Sequence, residues 1–205
     1  MEAEVKKIKK WLESGSINIF GLPFAGKDTQ ANKLAKLLDG HVIGGGEILR
    51  SSRISDQARQ AITSGKLIPI EDYLEIILPY LSQEKYLDHP LILSAVGRWQ
   101  GEESGVIKAA EDAGHPIKAV IYLSLNSSIV YDRWHIAKKT GDRGDRNDDK
   151  SLALLEARLT EFQEKTLPVI EVYRNKALLL EIDGSSSPDQ TTQIILKRLA
   201  DLADQ

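Results

Sequence analysis

The ten residues Gly21-Leu22-Pro23-Phe24-Ala25-Gly26-Lys27-Asp28-Thr29-Gln30 follow an apolar run at 17–22 (INIFGL) and open a helical pattern at 27–38. Strand, glycine-bearing turn and helix in that order make a phosphate-binding loop. The glycines let the backbone turn its N–H groups inward, the helix N-terminus adds positive potential, and Lys27 reaches the terminal phosphates. The general pattern asks for Ser or Thr directly after the lysine, whereas Asp28 stands there and Thr29 comes one place later. The strict letter pattern therefore fails, and the placement between strand and helix carries the assignment.

Further apolar runs lie at 41–43 (HVI), 90–96 (PLILSAV), 119–125 (AVIYLSL) and 177–182 (ALLLEI), with helical patterns between them. Five buried strands alternating with helices predict a single α/β domain: a five-stranded parallel sheet with helices on both faces. Residues 3–13 place Val5, Ile8, Trp11 and Leu12 at helical spacing and predict an amphipathic packing helix, and the turn at Gly184 and SSS 185–187 leads past Pro188 into a closing helix at 189–203. Two segments are long for connections. One, 46–88, is mostly helical in pattern; the other, KKTGDRGDRNDDK at 138–150, is polar and suits a lid over a site.

The chain has 205 residues, 41% hydrophobic, enough for one well-buried core, and its net charge of -3 supplies no global basic field. Phosphate binding then depends on local cations and backbone N–H groups, and nucleic acid is not a favoured partner. With no cysteine and four scattered histidines, disulfides and thiolate zinc sites are excluded and a reducing, cytoplasmic setting is expected. Residues 1–15 lack the continuous apolar stretch of a signal peptide, and no later stretch approaches a membrane span.

The stretch GLPFAGKDTQANKLA resembles the opening of the adenylate kinase and nucleoside monophosphate kinase family, GxPGxGKGTQ, which also lacks Ser or Thr after the lysine. The resemblance continues in order: Gly46-Glu47-Ile48-Leu49-Arg50 is similar to GDxLR, and Gly65-Lys66-Leu67-Ile68-Pro69 to GKLVP. Arg98 stands where the family has the arginine of DGFPR. Arg133 lies eight residues beyond the fourth apolar run, and Arg146-Asn147-Asp148-Asp149 resembles the lid's RxDD. Beyond the lid, Arg158-Leu159, Thr166-Leu167-Pro168-Val169 and Tyr173 resemble the family's RL, TxPV and aromatic residue.

The resemblance implies a P-loop kinase with a helical monophosphate-binding insertion at 46–88 and a short lid at 134–149, using ATP and Mg²⁺ as a monomer. Its substrates are a nucleoside triphosphate and a nucleoside monophosphate, with AMP first and UMP, CMP or a deoxynucleotide as alternatives. It implies a catalytic set of Lys27, Arg98, Arg133, Arg146 and Arg158, and nucleotide-binding positions at Gly21, Ala25, Gly26, Lys27, Asp28, Thr29, Gly45, Gly46, Arg50, Ile68 and Glu102. Arg98 also has an independent argument, since it follows the C-terminal end of a buried parallel strand, where open α/β sheets bind their ligands.

Four departures limit what the resemblance implies. The acidic residue at the end of the third strand, which holds waters on Mg²⁺, is Ser94; the threonine beside the monophosphate base is Gly45; a lid arginine is Ala137; and the adenine-reading glutamine is Glu102, with Gln100 nearby. A carboxylate accepts but does not donate when ionised, so Glu102 suits a donor-rich base edge at least as well as adenine. These losses also motivate an alternative, a nucleotide-binding paralogue with weak or no transfer. Asp28 adds a charge that, ~6 Å from a phosphate at an effective dielectric of ~20, is repelled by roughly 3 kcal/mol per unit charge. It is expected either to face away or to help hold the Mg²⁺ hydration shell.

Overall fold

The computed structural model describes residues 1–45, 48, 70–140 and 151–204. Strands β1 (Ser16–Gly21), β2 (His41–Gly44), β3 (Leu91–Ser94), β4 (Ile117–Ser124) and β5 (Leu179–Asp183) pair in parallel in the order β2-β3-β1-β4-β5. All six residues of β1 are buried, as a central strand covered on both faces requires. Ile17, Ile19 and Phe20 are fully excluded from solvent, and each such side chain contributes on the order of 1.5–3 kcal/mol of burial free energy.

Helices α1 (Glu2–Leu12), α2 (Lys27–Leu38), α3 (Ile70–Leu81), α4 (Glu103–Asp112), α5 (Ser127–Thr140), α6 (Leu152–Glu161), α7 (Leu167–Asn175) and α8 (Pro188–Leu202) connect or follow these strands. α1, α2 and α8 pack together, and α3 packs on α4. In α1 the buried residues are Ile8 and Leu12, with acids in the first turn and lysines in the last, matching the helix dipole. α8 starts with a full capping box: the Ser187 hydroxyl accepts from the Gln190 N–H, Gln190 answers to the Ser187 N–H, and Pro188 takes the first helical position. Between α6 and α7, residues Phe162–Thr166 form one turn of π-helix.

β3 ends at Ser94 although the apolar run continues to Val96. Ala95 and Gly97 take φ of 52° and 66°, which turns the chain out of the sheet. The turn is clamped from β1: the buried Asn18 amide donates to the Val96 carbonyl at 2.8 Å and accepts from the Val96 N–H at 3.4 Å. Of the 46–88 insertion, α3 and a single turn at Glu84–Tyr86 are described. The first part of the predicted lid, 134–140, is continuous with α5. Residues 141–150, and with them Arg146, lie outside the described residues, as do Gly46, Arg50 and Ile68. No helix among the described residues is long and apolar enough to cross a membrane.

Candidate active site

β1 is flanked by β3 on one side and β4 on the other, so the strand order reverses at its C-terminal end, where open α/β sheets form their binding crevice. The loop 21–27 sits there. A Cβ on Gly21 would lie 2.8 Å from the Leu123 carbonyl oxygen, so only glycine lets the loop leave beside β4. Gly26, with φ of 91°, precedes α2 in the left-handed region that favours glycine. The Lys27 ammonium donates to the carbonyls of Gly21 (2.8 Å) and Leu22 (2.9 Å), folded over the mouth of the loop. An arriving phosphate offers better acceptors for the same donors.

A cleft opens beside this lysine, lined by Gly21, Pro23, Lys27, Ala95, Arg98, Arg158, Glu161 and Thr166 among others. Arg98 reaches it from the chain leaving β3. Arg158 and Glu161, three residues apart, share a face of α6. Glu161 pairs with Arg98 at 3.9 Å and with Lys165 at 3.8 Å, and the Lys165 ammonium lies 4.4 Å from the Trp99 ring centre. The cleft thus gathers three of the predicted cations, with one carboxylate positioned against Arg98. At its edge the Ser94 hydroxyl donates to the Asp28 carboxylate at 2.9 Å.

Arg133 is not in this cleft. It lines a second pocket with Phe24, Ala25, Gly26, Thr29 and Gln30 of the loop and Gly184, Ser186, Pro188 and Thr191 of the β5–α8 turn. Its guanidinium donates to the carbonyls of Phe24 (3.1 Å) and Gly184 (2.8 Å), so it ties the loop to that turn. Asp183 shapes the turn by accepting the Ser185 N–H (2.8 Å) and hydroxyl (2.9 Å). These two bonds hold its carboxyl below the ordinary range. Buried Gln30 locks α2 onto α8, donating to the Pro188 carbonyl (2.9 Å) and accepting the Thr192 hydroxyl (2.8 Å).

The adenylate kinase family model matches residues 19–178. Adenylate kinase 2 of Nostoc sp. strain PCC 7120 is 30% identical over 188 residues, spanning 88% of this chain and 96% of its own. The adenylate kinase of Azobacteroides pseudotrichonymphae is 30% identical over 193 residues, spanning 91% and 98%, and that of Caldanaerobacter subterraneus is 27% identical over 209 residues, spanning 88% and 94%. The chain belongs to the adenylate kinase family. As such it is an ATP-dependent phosphotransferase with a nucleoside monophosphate acceptor.

Two of the positions at which this adenylate kinase family member departs from the usual pattern have clear local geometry. Gly45 abuts the β3–α4 turn: a Cβ there would lie 2.8 Å from the Ala95 carbonyl oxygen, so this backbone excludes a threonine. Glu102 is 8% exposed, and its carboxylate accepts the Trp99 N–H at 3.2 Å. Burial pushes its pKa up to about 7, against the smaller opposing effects of the Trp99 hydrogen bond and Arg98. Its carboxyl is thus folded onto its own turn. Sequence reasoning missed Glu161 and Gln30. Glu161 was detectable from its spacing to Arg158, while Gln30 becomes informative only once α8 is packed against α2.

Proposed function

We propose that this protein transfers the terminal phosphoryl group of ATP to AMP, with Mg²⁺ as the accompanying cation, and that it does so as a cytoplasmic monomer. The observation that carries the reading is the position of Lys27 between two pockets. One is formed by the phosphate loop, Arg133 and the β5–α8 turn and suits the donor nucleoside; the other, with Arg98 and Arg158, suits the acceptor phosphate and the moving group. Ala25, Gly26 and Thr29 belong to the donor side, and Gly21 lines the other pocket beside Lys27. Asp28 lies beside the loop, and Gly45 and Glu102 flank the chain that leaves β3 on the acceptor side. The insertion at 46–88 and the lid at 134–149, with Gly46, Arg50, Ile68 and Arg146, belong to the same reading.

Phosphoryl transfer requires little covalent chemistry from a protein and much positioning of positive charge. Lys27 stabilises charge on the transferring group, while Arg98 and Arg158 offset repulsion between the two substrates' phosphates. The bond to the leaving ADP oxygen breaks as the AMP phosphate oxygen bonds to phosphorus. Glu161 holds Arg98 toward the cleft until phosphate replaces it. The oxygen groups at the loop, the Asp28 carboxylate and the Ser94 hydroxyl, fit a hard cation that retains its waters. When bound, such a cation neutralises triphosphate charge.

A coupled assay with ATP and Mg²⁺ across AMP, CMP, UMP and deoxynucleoside monophosphates tests the reading, with AMP expected to be the best acceptor. Lys27→Ala is expected to lower turnover by about two orders of magnitude or more while leaving the melting temperature unchanged. Near-normal turnover in that variant would overturn the assignment. ATP binding without transfer to any acceptor would favour the paralogue lacking activity, the reading prompted by Ser94 and Ala137.

A further inference from the structure

In phosphate-loop nucleotide enzymes generally, the cation is held between a Ser or Thr hydroxyl directly after the loop lysine and an Asp carried by a sheet strand. Both positions are filled in this chain, each with the other's chemistry. The residue after Lys27 is Asp28, in the first turn of α2, and the residue at the end of β3 is Ser94. They are 66 positions apart in sequence, yet the Ser94 hydroxyl donates to the Asp28 carboxylate at 2.9 Å. The parallel register that sets Ile19 opposite Ser94 brings the end of β3 beside the start of the loop.

We propose that Asp28 and Ser94 are a transposed carboxylate–hydroxyl pair. Asp28 supplies from α2 the carboxylate that orients water on Mg²⁺, and Ser94, from β3, holds that carboxylate in place. This deepens the proposed reaction and rests on it. The arrangement accounts for two substitutions together. A carboxylate so close to the phosphate loop is unfavourable toward bare triphosphate, and it becomes favourable when the triphosphate carries its cation. Ser94 is 8% exposed, so its hydroxyl has little access to solvent and is directed by its carboxylate acceptor. Asp28 is therefore a positioning residue for the cation, and Ser94 positions Asp28.

The proposal predicts that the cost and the benefit of Asp28 separate when the metal is removed. Titration calorimetry with the non-hydrolysable analogue AMP-PNP, in Mg²⁺ and again in EDTA, reads both. Wild type is expected to bind about tenfold more tightly with Mg²⁺ than without, a typical size for coupling between two ligands. Asp28→Asn, a nearly isosteric change at an exposed position, is expected to lose most of that ratio and to bind metal-free AMP-PNP at least as tightly as wild type. The exchanged protein, Asp28→Ser with Ser94→Asp, is expected to regain the ratio. An unchanged Mg²⁺ ratio in Asp28→Asn overturns the inference while leaving the kinase reading intact. Absence of AMP-PNP binding to wild type in either condition overturns that reading, and this inference with it.

Discussion

Replacing Glu102 with glutamine tests how this site departs from its family, because the change removes a charge and retains the shape. The side chain is 8% exposed and its carboxyl is raised from the ordinary 4.5 to about 7, chiefly by burial. A group whose folded pKa is raised favours folding fully below its unfolded value, and that contribution is lost as pH rises through the folded value. The window here runs from about pH 4.5 to about pH 7. At about 1.4 kcal/mol per tenfold change, the full loss is on the order of 3 kcal/mol. Glutamine keeps an oxygen to accept the Trp99 N–H and has no charge to desolvate. Glu102→Gln is therefore expected to match wild type near pH 4.5 and to exceed it by about 2–3 kcal/mol at pH 8. Urea unfolding followed by tryptophan fluorescence across this range measures the difference. Parallel stability profiles for the two proteins would refute the argument, as would a gain confined to low pH. The KM for AMP, measured on the same variant, separates the roles: a residue that reads the base moves KM, whereas one that only packs its own turn does not.

Removing the Arg133 side chain, which ties the loop to Gly184, is expected to raise the KM for ATP by about tenfold, the scale of one hydrogen bond from a charged donor, with a smaller effect on the KM for AMP; equal effects on both would contradict its assignment to the donor pocket. Ala95→Gly relieves a positive φ of 52° and is expected to stabilise the fold by about 0.5–1 kcal/mol after the entropy cost of glycine. Calorimetric melting checks it, and a lowered melting temperature would show that the left-handed backbone carries no strain at this position.

Features decided by neighbouring residues were legible in the sequence. The run 17–22 reads as a buried strand, Gly26-Lys27 after it as the start of the loop's helix, and Gly184, SSS 185–187 and Pro188 as the turn into the closing helix. The contacts set by strand order required the fold. That β3 rather than β2 lies beside β1 brings Ser94 to Asp28. The return of β5 beside β4 lets Arg133 span the loop and Gly184, placing it in a different pocket from Arg98 and Arg158. Glu102 was readable as an acid in a glutamine's place, but its inward fold depends on the local turn at Trp99.

The same long-range contacts explain how the site keeps its shape while placing other residues at two family glycine positions that hold positive φ. The family patterns GxPGxGKGTQ and DGFPR carry glycine where this chain has Phe24 and Ala95, and both residues hold positive φ, 64° and 52°. Such a conformation costs an ordinary residue about 1–2 kcal/mol and persists only where its surroundings over-determine it. Those surroundings are present. The Phe24 carbonyl is held by Arg133, the Ala95 N–H donates to the Ile19 carbonyl at 3.0 Å, and the next residue, Val96, is gripped by Asn18. Phe24 is buried and Ala95 partly so, both in contact with the core, so leaving the strained conformation would expose apolar surface as well as break these bonds. The backbone of the loop and of the β3 exit is therefore dictated by β1 and its neighbours. That leaves the side chains at the mouth, Asp28 and Ser94 among them, free to change chemistry without moving the loop.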